Sequence, residues 1–239
     1  MIIFEEDYTK YHLNKLDEAN WNYVIGGHGF GNAELQYYTN RCDNLYIDNE
    51  GLHIVGKKED YENRHYTSAR ITSKHLFKYG KISFRIKLPK LKGTWPAIWL
   101  LSEDIIKRHN WPECGEIDIM EFIGRMPNKI HSSLHSKTYN HLLNNHRTKV
   151  IDIDEKEYHD FVYYWTKEGF SIDIDNKHYE LFKKNKNDDY ASWPFDQKYF
   201  LIINMAIGGY FPGNVDPNFV CEEFIIKYLK VESLDDEND

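Results

Sequence analysis

Apolar and polar residues alternate with period two along much of the chain. In K-I-S-F-R-I-K-L-P (81–89), Ile82, Phe84, Ile86 and Leu88 fall on one face and Lys81, Ser83, Arg85 and Lys87 on the other. This pattern predicts a half-buried antiparallel strand. F-S-I-D-I-D-N-K-H-Y-E-L-F (170–182) carries two such runs around Asp175-Asn176-Lys177 and predicts a hairpin. G-L-H-I-V-G (51–56) predicts a short strand between glycines, and F-I-I-K-Y-L-K-V-E (224–232) a last strand. The apolar opening of Y-F-L-I-I-N-M-A-I-G-G (199–209) predicts a strand covered on both sides. Helical periodicity is poor, and S-E-D-I-I-K-R-H (102–109) predicts only one or two turns in a loop. There is no repeat and no Ser/Gly linker. Many strands without βα alternation predict an all-β sandwich forming a single domain over 1–239, with an acidic, frayed tail over 232–239.

One predicted strand breaks the alternation. In G-E-I-D-I-M-E-F-I-G (115–124), Glu116, Asp118 and Met120 share a parity, so Glu121 would point to the opposite face. A β-bulge, one extra residue near Ile119 or Met120, returns Glu121 to the face of Glu116 and Asp118. Carboxylates this close raise one another's pKa, so at least one should hold its proton near neutral pH. An ionised carboxylate beside a protonated one is what retaining glycoside hydrolysis requires, with the two groups ~5–5.5 Å apart. Glu116 and Glu121 suit that pair, and Asp118 between them would tune both. Two other readings fit the residues less well. An edge strand of solvated acids conflicts with Ile117, Ile119 and Phe122, which demand a covered face. A Ca²⁺ or Mg²⁺ site completed by His131 or His135 conflicts with the rarity of consecutive strand carboxylates closing a coordination sphere.

Composition narrows the partners. Of 239 residues, 15% are aromatic, including 18 Tyr and 6 Trp, and 41% are hydrophobic, enough for a real core. A net charge of -8 argues against nucleic acid and anionic membranes as partners. Cys42, Cys114 and Cys221 are odd in number and lack metal spacing, so they read as free thiols. No apolar run reaches the ~18–20 residues of a membrane span. The start, M-I-I-F-E-E-D-Y, does not read as a signal peptide, so the chain either stays inside the cell or is the mature part of a secreted protein. Trp95, Trp99, Trp111, Trp165 and Trp193 mostly adjoin Pro, Gly or polar residues rather than aliphatic runs. As a set beside an acid cluster, such rings would stack on sugar C–H faces, although any single Trp more often packs at a sheet edge.

E-I-D-I-M-E resembles the catalytic signature of glycoside hydrolase family 16, in the bulged E-x-D-x-x-E form of laminarinase-like endo-β-1,3-glucanases. G-F-G-N-A-E-L-Q-Y-Y (29–38), Y-T-S-A-R-I-T-S (66–73), G-T-W-P-A-I-W-L-L, W-P-F-D (193–196) and N-M-A-I-G-G-Y-F-P-G (204–213) resemble further family motifs in the family's order. The resemblance spans Phe4 to about Val231. It implies a β-jelly-roll sandwich of two antiparallel sheets with a concave cleft for a β-glucan chain. By motif position it implies Glu116 as nucleophile, Asp118 as assisting acid and Glu121 as acid/base. It implies substrate contacts from Asn32, Glu34, Arg70, Trp95, Trp99, Trp111, His135 and Asn204. No cofactor is implied, and a monomer is expected. The family often carries Ca²⁺ on the convex face, but Lys227 stands where a ligand Asp would be, so no metal is expected there. The ammonium is expected beside Asp7 or Glu6 instead. Phe211 replaces the Trp of a late W-P-G motif. Mixed-linkage β-1,3-1,4-glucanase activity, transglycosylation and non-hydrolytic glucan binding are the alternatives, and retention of all three acids weighs against the last.

Overall fold

In the computed structural model, which describes residues 1–10 and 15–234, the period-two runs become strands throughout. In chain order they are β1 (Ile2–Asp7), β2 (Trp21–Tyr23), β3 (Gln36–Tyr38), β4 (Leu45–Asp48), β5 (Gly51–Tyr61) and β6 (Arg64–Ser68). Then come β7 (Arg70–Phe77), β8 (Gly80–Lys87), β9 (Thr94–Ser102), β10 (Glu116–Glu121), β11 (Lys129–His135) and β12 (Arg147–Asp152). The last are β13 (His159–Trp165), β14 (Gly169–Ile174), β15 (Lys177–Lys183), β16 (Tyr199–Ile207) and β17 (Cys221–Glu232). The expected helical turns are α1 (Asp104–Arg108). The expected acidic tail falls mostly on 235–239, outside the described residues.

The strands form two sheets. One runs β15-β14-β13-β8-β17-β5-β6-β3, with β1 on β17 and β4 on β5; the other runs β12-β11-β10-β9-β16-β7-β2. Among the described residues all pairings between strands are antiparallel except β3 with β6, which is parallel and lies at the sheet's end. The strand expected over 51–56 continues to Tyr61, because its second half turns into a hairpin with β6. The core lies between the sheets. It is built from the inward parity of each, such as Ile82, Phe84 and Ile86 of β8 against Ile98, Leu100 and Ile117 of β9 and β10. Two of the five singled-out tryptophans belong to this core rather than to any cleft. Trp165 and Trp193 are buried with Phe170, Phe195 and Tyr199 in one aromatic cluster. All three cysteines are free, as expected.

The expectation for Lys227 is corrected. It is the extra residue of a bulge between Ile226 and Tyr228, which re-aims its side chain. Its Nζ lies 4.2 Å from the centroid of the Tyr158 ring, not beside Asp7 or Glu6. Asp7 is held by Thr9 and Lys10, while Glu6 accepts from Asn20 and Trp21.

Candidate active site

β10 runs through the interior of the seven-stranded sheet, paired with β9 on one side and β11 on the other. Against β9 the register passes from Asp118↔Trp99 to Met120↔Ile98, so Ile119 is the extra residue. Against β11 it passes from Asp118↔Ser133 to Glu121↔His131, consistent with one insertion. The bulge brings Glu116, Asp118 and Glu121 opposite Leu101, Trp99 and Ala97, three residues of one parity and one face. Ile117, Ile119 and Met120 face the core and are fully buried. The Ser132 hydroxyl donates to the Asp118 carbonyl at the bulge, 2.9 Å.

Glycines hold both ends of this segment. Gly115 has φ +86, and a Cβ there would meet the Tyr199 hydroxyl at 2.2 Å. At Gly124 a Cβ would fall 2.0 Å from the Leu91 carbonyl oxygen. Neither position accepts a side chain without displacing backbone or a buried tyrosine.

The acids are tied to named neighbours. The Trp111 indole N–H donates to Glu116 Oε2 at 3.0 Å, and that of Trp95 to Glu121 Oε1 at 3.0 Å. His135 Nε2 lies 3.2 Å from Asp118 Oδ2 and 3.8 Å from Glu116 Oε1. Burial, followed by the charge of Asp118, pushes the Glu116 carboxyl up to about 7. Burial raises Asp118 to about 8. Burial, then the charges of Asp118 and Glu116, holds Glu121 well above the ordinary glutamate value, against the opposing pull of His135 and Trp95. Three carboxyls in one low-dielectric row therefore share protons rather than carry three charges. The same burial, followed by the charge of Glu116, pushes the Cys114 thiol up to about 12, which leaves it inert beside the acids.

A second wall lies across β9, β16 and β7. Trp99 Nε1 donates to Asn204 Oδ1 at 2.7 Å, and Asn204 Nδ2 meets the Tyr38 hydroxyl at 3.1 Å. That hydroxyl lies 3.2 Å from Glu34 Oε2. The Arg70 guanidinium sits between the Trp99 and Phe30 rings, 4.9 and 5.1 Å from their centroids. The Asn32 side chain opposes the rise that burial gives the Glu34 carboxyl. All eleven residues named from sequence thus fall in two groups, the acids with Trp95, Trp111 and His135, and the wall with Asn32, Glu34, Arg70, Trp99 and Asn204.

Several neighbours were not foreseen. His141 and His146 pack on His135, ring centroids 5.2 Å apart in both cases, and His141 also meets Trp111 at 5.0 Å. Phe211, singled out in the late F-P-G motif, lies between Trp95 and His131, 5.3 Å from each, and so closes the site beside Glu121. Gln36 and Tyr38 are integral to the second wall, and the signal for them was present, since they share parity with Glu34 in E-L-Q-Y-Y. The histidines carried no such signal, because they stand outside any strand and reach the site by a loop. Glu116, Asp118 and His135 are the one group among the described residues that brings three ligand atoms within 4.8 Å. They could hold a cation. One oxygen of Glu116 already accepts from the Trp111 N–H, and one of Asp118 lies 3.2 Å from His135 Nε2.

The family profile described as "Glycosyl hydrolases family 16" matches residues 32–216. The "Beta-glucanase" of Rhodothermus marinus is 39% identical over 227 residues, spanning 90% of this chain and 79% of that protein. The crystallised laminarinase of Rhodothermus marinus superposes with a TM-score of 0.89 at 36% identity, covering 97% of this chain and 96% of that one. The laminarinase of Flavobacterium sp. UMI-01 superposes with a TM-score of 0.88 at 39% identity, covering 98% and 100%.

Proposed function

The chain belongs to glycosyl hydrolases family 16, and from that premise we propose how its acid row works. The protein is an endo-acting β-1,3-glucanase whose substrate is a laminarin-like polysaccharide. Glu116, as carboxylate, attacks the anomeric carbon. Glu121, as acid, gives its proton to the departing glycosidic oxygen, and a covalent glycosyl-enzyme forms with inversion at carbon. Glu121, now ionised, takes a proton from water as that water attacks the same carbon. The second inversion releases a product of retained β configuration and restores both glutamates. Asp118, with His135 Nε2 3.2 Å from its Oδ2 and raised by burial, holds a proton between the two and limits the charge that Glu116 must face. Trp111 and Trp95 orient one oxygen on each glutamate, leaving the other for the sugar.

The observation that carries this reading is the bulge at Ile119, which places Glu116, Asp118 and Glu121 on one face as a buried row. A row of intact acids argues for turnover rather than glucan binding alone. The test is incubation with laminarin, lichenan, barley glucan, agarose and carrageenan, with the released oligomers read by mass and the first product by proton NMR. Laminarin should yield oligosaccharides whose first-formed anomer is β. An α-anomer would end the double-displacement assignment, and cleavage of mixed-linkage glucan with laminarin untouched would end the β-1,3 assignment.

A further inference from the structure

The second wall contains a chain of hydrogen bonds whose direction follows from chemistry alone. An indole N–H can only donate, so Asn204 Oδ1 is the acceptor of the 2.7 Å bond from Trp99. The amide nitrogen of Asn204 therefore faces Tyr38 and donates to its oxygen at 3.1 Å. The proton of that hydroxyl is left to donate to Glu34 Oε2, 3.2 Å away. Gln36 Nε2 donates to the same oxygen at 2.6 Å, while Gln36 Oε1 accepts the Ile207 backbone N–H at 2.8 Å. Gln36 and Tyr38 are 0% exposed, so neither touches a sugar. Glu34 and Asn204 at 4% and 6% lie at the rim of the same network.

We propose that Tyr38 and Gln36 are positioning residues for glucan recognition. They fix the carboxylate of Glu34 and the amide of Asn204 in single orientations, so that the donor and acceptor faces offered to the sugar hydroxyls are set before substrate arrives. Three strands contribute: β3 supplies Gln36 and Tyr38, β16 supplies Asn204, and β9 supplies Trp99. The Gln36 bond to Ile207 also ties β3, a strand of the other sheet, to the end of β16, so the relay bridges the two layers. The Tyr38 ring is packed independently of its hydroxyl, against Phe30 at 4.9 Å. Removing the oxygen alone should therefore leave the fold in place and loosen the recognition pair. Preorganisation of this kind acts on affinity, because the cost of ordering is removed from the binding step.

The inference rests on the glucanase reading, which the turnover of laminarin by the unaltered enzyme tests separately. The experiment is a double-mutant cycle of Tyr38→Phe with Asn204→Ala, read on laminari-oligosaccharides. Tyr38→Phe should raise KM about 10-fold with kcat within about 3-fold, and the pH profile unmoved. In the Asn204→Ala background the same change should raise KM by clearly less, the remainder being the part that acts through Glu34. Gln36→Leu, a second route to the same loosening, should also raise KM more than it lowers kcat. Equal KM effects in both backgrounds would show that Tyr38 does not act through Asn204 and would overturn the proposal. So would a lowered Tm with unchanged KM, which is the signature of a purely structural hydroxyl. An inactive parent enzyme would fail the glucanase reading itself, whereas an active parent indifferent to Tyr38→Phe would fail this inference alone.

Discussion

Replacing Glu116 with Gln should abolish catalysis and stabilise the protein, and the stabilisation should depend on pH in a defined way. The Glu116 carboxyl is raised from 4.5 to about 7, by burial first and by Asp118 second. Below pH 4.5 the group is protonated in the folded and unfolded chains alike, and folding bears no penalty. Between 4.5 and about 7 the unfolded chain ionises while the folded one keeps its proton, so stability falls as pH rises. Above about 7 both are ionised and the loss is complete. At roughly 1.4 kcal/mol per pH unit, the difference corresponds to about 3 kcal/mol. The side chain is 17% exposed, so some screening applies and about 2–3 kcal/mol is expected. Gln keeps an oxygen for the Trp111 N–H and bears no charge. For a domain of this size the gain corresponds to a Tm increase of roughly 5–8 °C at pH 8. Thermal unfolding followed by circular dichroism at pH 4.5, 6 and 8 and constant ionic strength measures it. The Tm gap between variant and parent should be small at pH 4.5, open through pH 6 and level off by pH 8, while kcat falls at least about 10³-fold. A gap independent of pH, or a variant less stable than the parent at pH 8, would refute the claim that Glu116 is held in a site that opposes its charge.

Asp118→Asn removes the second cause of the raised Glu116 value, so the acid limb of kcat/KM, expected near pH 7 in the parent, should move to lower pH; a limb that stays or moves up would contradict the coupling. Gly115→Ala places a methyl 2.2 Å from the Tyr199 hydroxyl at φ +86 and should destabilise the fold by about 2–4 kcal/mol in urea titration, with activity lost beyond the fraction unfolded. An alanine variant as stable and active as the parent would show that the strand does not need this glycine. Calcium at millimolar concentration should leave Tm within about 1 °C, since Lys227 lies over Tyr158 and Asp7 is paired with Lys10; a rise of several degrees would reveal a cation site.

The fold was legible wherever burial alternates cleanly. β8 and the β14–β15 hairpin stand where period two put them, because one face of each meets the core and a one-residue slip would expose every apolar side chain. The parallel β3–β6 pair was not legible, since strands of three and five residues carry little periodicity and their partner is chosen by tertiary packing. Trp165 and Trp193 show the limit of local context. Pro and polar neighbours in sequence say nothing of the aromatic cluster that closes over them. Lys227 shows a different limit: residue type excluded a ligand, but a bulge decided where the ammonium went. The two histidines behind His135, His141 and His146, were invisible because the segment between β11 and β12, not a strand, delivers both.

The acid row was legible because a departure from alternation is more informative than alternation itself. A regular six-residue strand would have sent Glu121 inward among Ile98 and Met120, where an unpaired carboxyl is prohibitive. Only an inserted residue reconciles the apolar residues Ile117, Ile119 and Met120 with three acids, and the insertion must lie between Asp118 and Glu121. The structure puts it there. Ladder bonds to β9 and β11 on either side, and glycines at both ends, leave this strand no means of drifting apart to relieve the repulsion. The carboxyls must relieve it by keeping protons. The rigidity of the strand is therefore the physical reason the acids stay raised, and it links the bulge to the pH-dependent stability of Glu116.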